Sequence, residues 1–183
     1  MQTIKVAERK YKRHVSVPSG KGVRVDQAIT IRRPVSEVYA FWQRLENLPR
    51  FMRHVESVSV QDHVHSHWVV KTLGDKTVEW DAELIEEKPN EMISWRSLPG
   101  SEVDNAGSVW FTPLPAGKGT MVRVELKYVP PAGRLGVLAA KLFGRDAEAE
   151  IEEDLKRLKK LLEGSAPASS DSLRKSRKAL SAT

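Results

Sequence analysis

The chain has no cysteine. That excludes a disulfide framework, a thiolate metal site and a thiol nucleophile together, and it suits a reducing cytoplasm. No stretch approaches the roughly 20 apolar residues of a membrane span. The N-terminus, Met-Gln-Thr-Ile-Lys-Val-Ala-Glu-Arg-Lys, lacks the apolar centre of a signal peptide, so the expected location is cytoplasmic. Also missing are a Ser-His-Asp order, a phosphate-cradling glycine loop and a dinucleotide fingerprint. Gly-Lys-Gly at 20–22 and 117–119 is too short for either glycine motif. Nothing in the sequence asks for a cofactor.

What is present is one domain's worth of chain. It has 183 residues, 40% of them hydrophobic, enough for a substantial core. The formal charge of +6 sits at the ends: residues 1–22 carry +5, from Lys5, Arg9, Lys10, Lys12, Arg13 and Lys21 against Glu8, and residues 165–183 carry +3, which leaves −2 for residues 23–164. A folded surface for specific nucleic-acid binding therefore has no support from composition. The basic, Ser/Ala-rich ends read as solvated segments, flexible over 1–22 and disordered over 165–183, whose charge suits weak contact with an anionic membrane.

Between them, Val23 to Arg32 alternates, with Val23, Val25, Gln27, Ile29 and Ile31 on one face, as in a half-buried strand. Arg33 to Met52 follows as a helical pair. Pro34 suits a first turn, Glu37 favours the helix dipole, and Val35, Val38, Tyr39, Trp42 and Leu45 form an apolar stripe; a second short turn is expected from Leu48 to Met52, with Pro49 at its start. Six further strands are expected at Val55–Gln61, Ser66–Thr72, Thr77–Glu86, Met92–Ser97, Ser108–Thr112 and Thr120–Tyr128, separated by short turns, as in a mostly antiparallel sheet.

Their alternation puts Trp68, Val70, Val78, Trp80, Ala82, Leu84, Ile93, Trp95, Val109, Phe111, Val122, Val124, Leu126 and Tyr128 on one face. Lys71, Glu79, Asp81, Glu83, Arg123, Glu125 and Lys127 fall on the other. One apolar face needs one covering layer. A long helix from near Arg134 to Gly164 supplies it, with Leu135, Leu138 and Leu142 as one stripe and Ile151, Leu155, Leu158 and Leu162 as another; a kink is expected at Gly144-Arg145-Asp146, where their phases part. A three-residue turn at Gly74-Asp75-Lys76 would set Lys71 opposite Glu79 and His67 opposite Glu83.

In this order, the segments Arg-Pro-Val-Ser-Glu-Val-Tyr-Ala-Phe-Trp (33–42), Glu-Asn-Leu-Pro-Arg-Phe-Met (46–52), Val-Glu-Trp-Asp-Ala-Glu-Leu (78–84), Ile-Ser-Trp-Arg-Ser (93–97), Gly-Ser-Val-Trp-Phe-Thr-Pro (107–113) and Pro-Pro-Ala-Gly (130–133) carry a resemblance. The chain resembles the START-like helix-grip superfamily, SRPBCC, and within it the bacterial polyketide cyclase/dehydrase and lipid-transport family. The resemblance covers roughly Val23 to Gly164. It implies an α+β helix-grip fold: a seven-stranded, mostly antiparallel curved sheet wrapped around a long C-terminal helix, with two short helices after the first strand. It also implies a cavity between sheet and helix for a hydrophobic small molecule such as a lipid, quinone or polyketide-like aromatic.

The expected lining is Trp68, Trp80, Trp95, Phe111 and Tyr128 from the sheet, closed by Leu138, Ala139 and Leu142 from the helix. Tyr39, His54, Arg96 and Asn105 are the candidate polar contacts near its mouth. Arg96 is of interest because one buried guanidinium could orient a carbonyl or carboxylate, although its parity is outward. A filled aromatic core is the competing reading. The two leading functions are a non-catalytic carrier and a cyclase/dehydratase-type enzyme, with an interaction module third. His63, His65 and His67 share a strand face, but a third ligand is the difficulty and the segment sits at a hairpin turn on the charged side, so solvated histidines are expected there rather than a metal site. Glu79, Asp81 and Glu83 are read as cross-strand partners rather than acid–base groups.

Overall fold

The computed structural model describes residues 22–72, 76–129 and 147–164. The elements are β1 (Val23–Ile31), α1 (Val35–Gln43), a 3₁₀ helix (Leu45–Arg50), β2 (Val55–Val60), β3 (His65–Lys71), β4 (Thr77–Lys88), β5 (Met92–Ser97), β6 (Asp104–Pro113), a 3₁₀ turn (Pro115–Gly117), β7 (Thr120–Val129) and α2 (Ala147–Gly164). The seven strands form one sheet in the order β1-β7-β6-β5-β4-β3-β2, antiparallel throughout. β1 and β2 are therefore the two edges, and α1 with the 3₁₀ helix carries the chain from one to the other. This open, curved sheet with a C-terminal helix is the helix-grip architecture.

Burial follows the expected alternation in β1, where Val25 and Ile31 are buried, Val23, Gln27 and Ile29 half-buried, and Arg24, Asp26, Ala28 and Thr30 exposed. In α1 the stripe of Val38, Tyr39 and Trp42 is buried. Pro34 lies just before the helix, with extended backbone (φ −57°, ψ 146°), rather than inside its first turn. The 3₁₀ helix begins three residues earlier than the expected second turn and contains Pro49 near its end. Leu48 and Phe51, at and just after it, are fully buried.

Three features depart from the sequence reading. The first is the β3–β4 register: Lys71 pairs with Thr77 and His67 with Asp81, two residues away from the expected pairing, because Thr72 N–H already bonds the Lys76 carbonyl at 2.6 Å. The second is a bulge between Leu84 and Glu86 on β4, which exposes Ile85 and reverses the parity of the strand beyond it. The third lies on the face turned away from α2, whose middle is not a solvated charge array. Met92, Ser94, Ser108 and Trp110 are buried there, and Arg123 lies over the Trp110 ring, 6.0 Å from its centroid, while donating to Asp26 at 2.8 and 2.6 Å.

α2 buries Leu155, Leu158 and Leu162, with Ile151 packed against them. Polar bonds fix its position at both sides. Lys159 Nζ donates to the Thr30 carbonyl (2.8 Å), Arg32 N–H to Glu163 (2.7 Å) and Arg33 Nε to the Leu162 carbonyl (2.8 Å); Arg157 Nε donates to the Phe51 carbonyl (3.0 Å). The helix is thus tied to the end of β1 and to the 3₁₀ segment. The expected helix start near Arg134, the kink at Gly144-Arg145-Asp146, Leu138, Ala139 and Leu142, and both basic ends lie outside the described residues.

Candidate functional site

The inner face of the sheet and the start of α2 enclose a cavity of about 340 Å³. Its wall is apolar over most of its extent: Val25, Val70, Leu84, Ile93 and Leu126 from the sheet, Val103 from the segment just before β6, Leu45, Leu48 and Met52 from the helical connection, Ala147 and Ile151 from α2. Three tryptophans give it a flat side. The rings of Trp68 and Trp80 are nearly parallel (11°) with centroids 6.0 Å apart, and those of Trp68 and Trp95 likewise (15°, 6.4 Å). At those separations they are offset rather than face to face.

Small residues make the arrangement possible. Trp68 pairs directly with Trp80 across β3 and β4, next to the fully buried Ala82. Trp95 lies over Gly107, its pairing partner on β6: a Cβ on that glycine would meet the indole at 2.4 Å. Trp68 Nε1 donates to Ser66 Oγ at 3.0 Å, whereas Trp80 Nε1 is buried with no hydrogen-bond partner among the described residues.

Besides the β2–β3 turn at the rim, polar groups gather at two places on the wall. Near the start of α2, His54 Nε2 lies 3.4 Å from Glu150, beside the buried Asp154. That carboxylate accepts from Arg53 N–H at 3.1 Å and from Arg157; even so, burial pushes its pKa above the ordinary value. The hydroxyl of Tyr128 lies at the same end, its pKa raised by burial first and by the Glu150 charge second. Asn105, opposite Tyr128 in the sheet, donates to the Val103 carbonyl at 3.2 Å. At the other place, Glu87 accepts from Tyr39 Oη (2.5 Å) and Gln43 Nε2 (2.8 Å).

Of the sequence-nominated residues, Trp68, Trp80, Trp95, Tyr128, His54 and Asn105 line this cavity. Phe111 and Tyr39 are instead in edge contact with each other (5.5 Å, 83°) in the packed part of the core, and Arg96 is exposed on the outer face, bonded to Glu83 at 2.5 Å. Glu87, Glu150 and Asp154 were not nominated. Glu87 faces inward only because of the β4 bulge, signalled in sequence by the adjacent apolar pair Leu84-Ile85; Asp154 lies three residues after Ile151, in phase with the buried stripe, and that spacing was its signal. The β2–β3 turn also reaches the rim, contributing Asp62, His63 and His65. His65 Nδ1 contacts Asp62 at 2.8 Å and His67 Nδ1 contacts Asp81 at 2.8 Å. Among the described residues there is no group of three or more side chains that could hold a metal ion.

Comparison with known proteins places this geometry. The family model described as "Polyketide cyclase / dehydrase and lipid transport" matches residues 31–156. An uncharacterized 17.2 kDa protein of Streptomyces lincolnensis, from the melC2-rnhH intergenic region, is 30% identical over 146 residues, which is 76% of this chain and 89% of that one. A crystal structure from Deinococcus radiodurans superposes with a TM-score of 0.61 at 37% identity, covering 75% of this chain and 95% of the other. The di-domain ARO/CYC StfQ of the steffimycin biosynthetic pathway shares the fold at a TM-score of 0.57 and 16% identity; the match takes in 76% of this chain and 50% of StfQ.

Proposed function

The chain belongs to the polyketide cyclase / dehydrase and lipid transport family, and from that premise we propose that it binds a hydrophobic small molecule in the space between the sheet and α2. One observation carries this reading: a cavity of about 340 Å³ with an apolar wall, three near-parallel indoles and polar groups confined to its ends. That is the size and composition of a small-molecule site, which runs from roughly 300 to 1,000 Å³. A protein core of this size normally closes such a void, because each buried contact left unmade forfeits dispersion energy. Among the described residues no helix is long and apolar enough to cross a membrane.

The test is occlusion. Ala147 lines the cavity from the start of α2, so Ala147→Phe should abolish the fluorescence rise of Nile red while leaving the denaturation midpoint nearly unchanged, the ring having entered open volume. If Nile red never binds and the substitution costs the roughly 1–3 kcal/mol of an overpacked core, the binding reading fails.

A second reading is enzymatic, and the His54–Glu150 contact with the buried Tyr128 hydroxyl at the same end supports it. Asp154 is engaged by Arg157 and Arg53 N–H, so the histidine is the group available to accept a proton from carbon next to a carbonyl. Catalysed deuterium exchange into a 1,3-diketone, lost in His54→Ala but retained in Arg96→Ala, would favour this reading over a carrier.

A further inference from the structure

Outside the cavity, against Arg53 and the first turns of α2, lies a second recess of about 270 Å³. The two spaces share His54, Glu150 and Asp154, so those three side chains are the partition between an apolar interior and a polar exterior. The charges around the recess are nearly all matched. Asp154 is held by Arg157 and Glu153 by Lys156 at 2.8 Å, while Glu150 lies 3.4 Å from His54 Nε2. Arg157 is further fixed by the Phe51 carbonyl, which makes the floor of the recess rigid.

One cation is left over. Arg53 uses its backbone N–H on Asp154, and its exposed guanidinium has no ion-pair or hydrogen-bond partner among the described residues; Glu153 feels its charge only as the last and smallest of several influences. Among the described residues the cavity wall contains no lysine or arginine. An anionic group on a ligand would therefore be stranded anywhere along the apolar wall, and at this recess it would meet an unmatched guanidinium.

We propose that the recess is the headgroup subsite of an amphipathic ligand whose apolar body occupies the cavity and whose anionic head, a carboxylate or a phosphate, passes the His54–Glu150 partition to bond Arg53. The proposal rests on the binding reading above. Glu150 is the opposing group: its carboxylate repels the head and holds His54 away from it. Arg53 supplies the attraction, and His54 becomes a second donor once the head displaces Glu150 from its ring.

Displacement of Nile red by decanoate, decyl phosphate and decanol separates the terms, since the three share a tail and differ in the head. The wild-type protein should bind at least one anion more tightly than decanol, by roughly two- to fivefold at low salt, the range of a single exposed ion pair, and the preference should fade as salt is raised. Decanoate against decyl phosphate distinguishes the two head chemistries. Arg53→Ala should erase the anion preference with decanol affinity unchanged, and Glu150→Gln should enlarge it. Decanol binding as well as both anions, or a preference that survives Arg53→Ala or shrinks in Glu150→Gln, overturns the subsite while leaving the cavity reading intact. Failure of Nile red and all three amphiphiles to bind overturns both.

Discussion

The space between sheet and helix has two halves built from the same kinds of residue, one packed and one hollow. In the packed half Tyr39, Trp42, Phe51 and Phe111 meet at 53–83° with centroids 5.3–6.1 Å apart, a network of edge-on and tilted rings of which only Trp42 reaches the cavity wall. In the hollow half Trp80 and Trp95 lie at 11° and 15° to Trp68. The difference comes from where the side chains originate. The packed rings arrive from α1, from the end of the 3₁₀ helix and from β6, so they interlock. The three indoles all rise from neighbouring strands β3, β4 and β5, and a shared sheet surface keeps them side by side. Among the described residues, what approaches from α2 is Ala147 and Ile151, with Glu150 and Asp154 beside them. An aromatic residue on an inner face therefore says nothing about filled or empty space until the facing element is known.

The comparison breaks most directly under truncation. Phe51→Ala should cost about 3–5 kcal/mol, since its ring contacts both Phe41 and Trp42 and the site cannot collapse. Trp80→Ala, which enlarges a space already open, should cost distinctly less, about 1–2 kcal/mol, and should weaken Nile red binding. Equal losses in urea melts would mean that the two halves are packed alike.

Gly107 sharpens it. Any side chain there meets the Trp95 indole at 2.4 Å, so Gly107→Val should tilt Trp95 out of the parallel set and cost about 1–3 kcal/mol. The diagnostic signature is a near-ultraviolet circular dichroism change with loss of Nile red binding. An unchanged spectrum would show that the parallel arrangement does not depend on the glycine.

Most of the fold was legible because alternation and helical spacing are direct consequences of burying one face: Val25 and Ile31, or Val38, Tyr39 and Trp42, announce their side by period alone. The failures have physical causes. The span of β6 was read as five residues instead of the ten from Asp104 to Pro113, since Ala106, Gly107 and Ser108 are too small to show a period. Parity past Leu84 was reversed by one bulged residue. The polar end of the site was the least legible part, for the stripe on α2 was read through its leucines and an aspartate in the same phase was passed over. His54 and Asn105 were placed by the family resemblance, whereas Phe111, inward as expected, met Tyr39 instead of open space.

The indole N–H groups give a smaller contrast within the hollow half. Trp68 Nε1 has Ser66 Oγ and Trp80 Nε1 has no partner among the described residues. Replacing each by Phe removes a satisfied donor in one case and an unsatisfied one in the other, so Trp68→Phe should be the more destabilising by about 1 kcal/mol. The reverse order would require that Trp80 Nε1 is bonded in solution.

The smallest effect separates burial from pairing through pH. Asp154, on the cavity wall, has its pKa raised above the ordinary 3.8, first by burial and against the pull of Arg157. Asp26, on the outer face, has its pKa lowered below the same value, first by its hydrogen bond from Arg123. Linkage gives these opposite signs. The Asp154 contribution is present in full below the ordinary value and is lost as pH rises through the folded one; the Asp26 contribution is present above the ordinary value and is lost as pH falls through the folded one. The stability difference between wild type and Asp154→Asn should therefore shrink as pH climbs above 3.8, whereas that for Asp26→Asn, under about 1 kcal/mol for a partly exposed pair, should shrink as pH drops below it. Thermal melts from acid to neutral pH read both. If the two variants slope the same way, Arg157 outweighs burial at Asp154, and the polar end of the cavity behaves as a surface ion pair rather than as part of a low-dielectric wall.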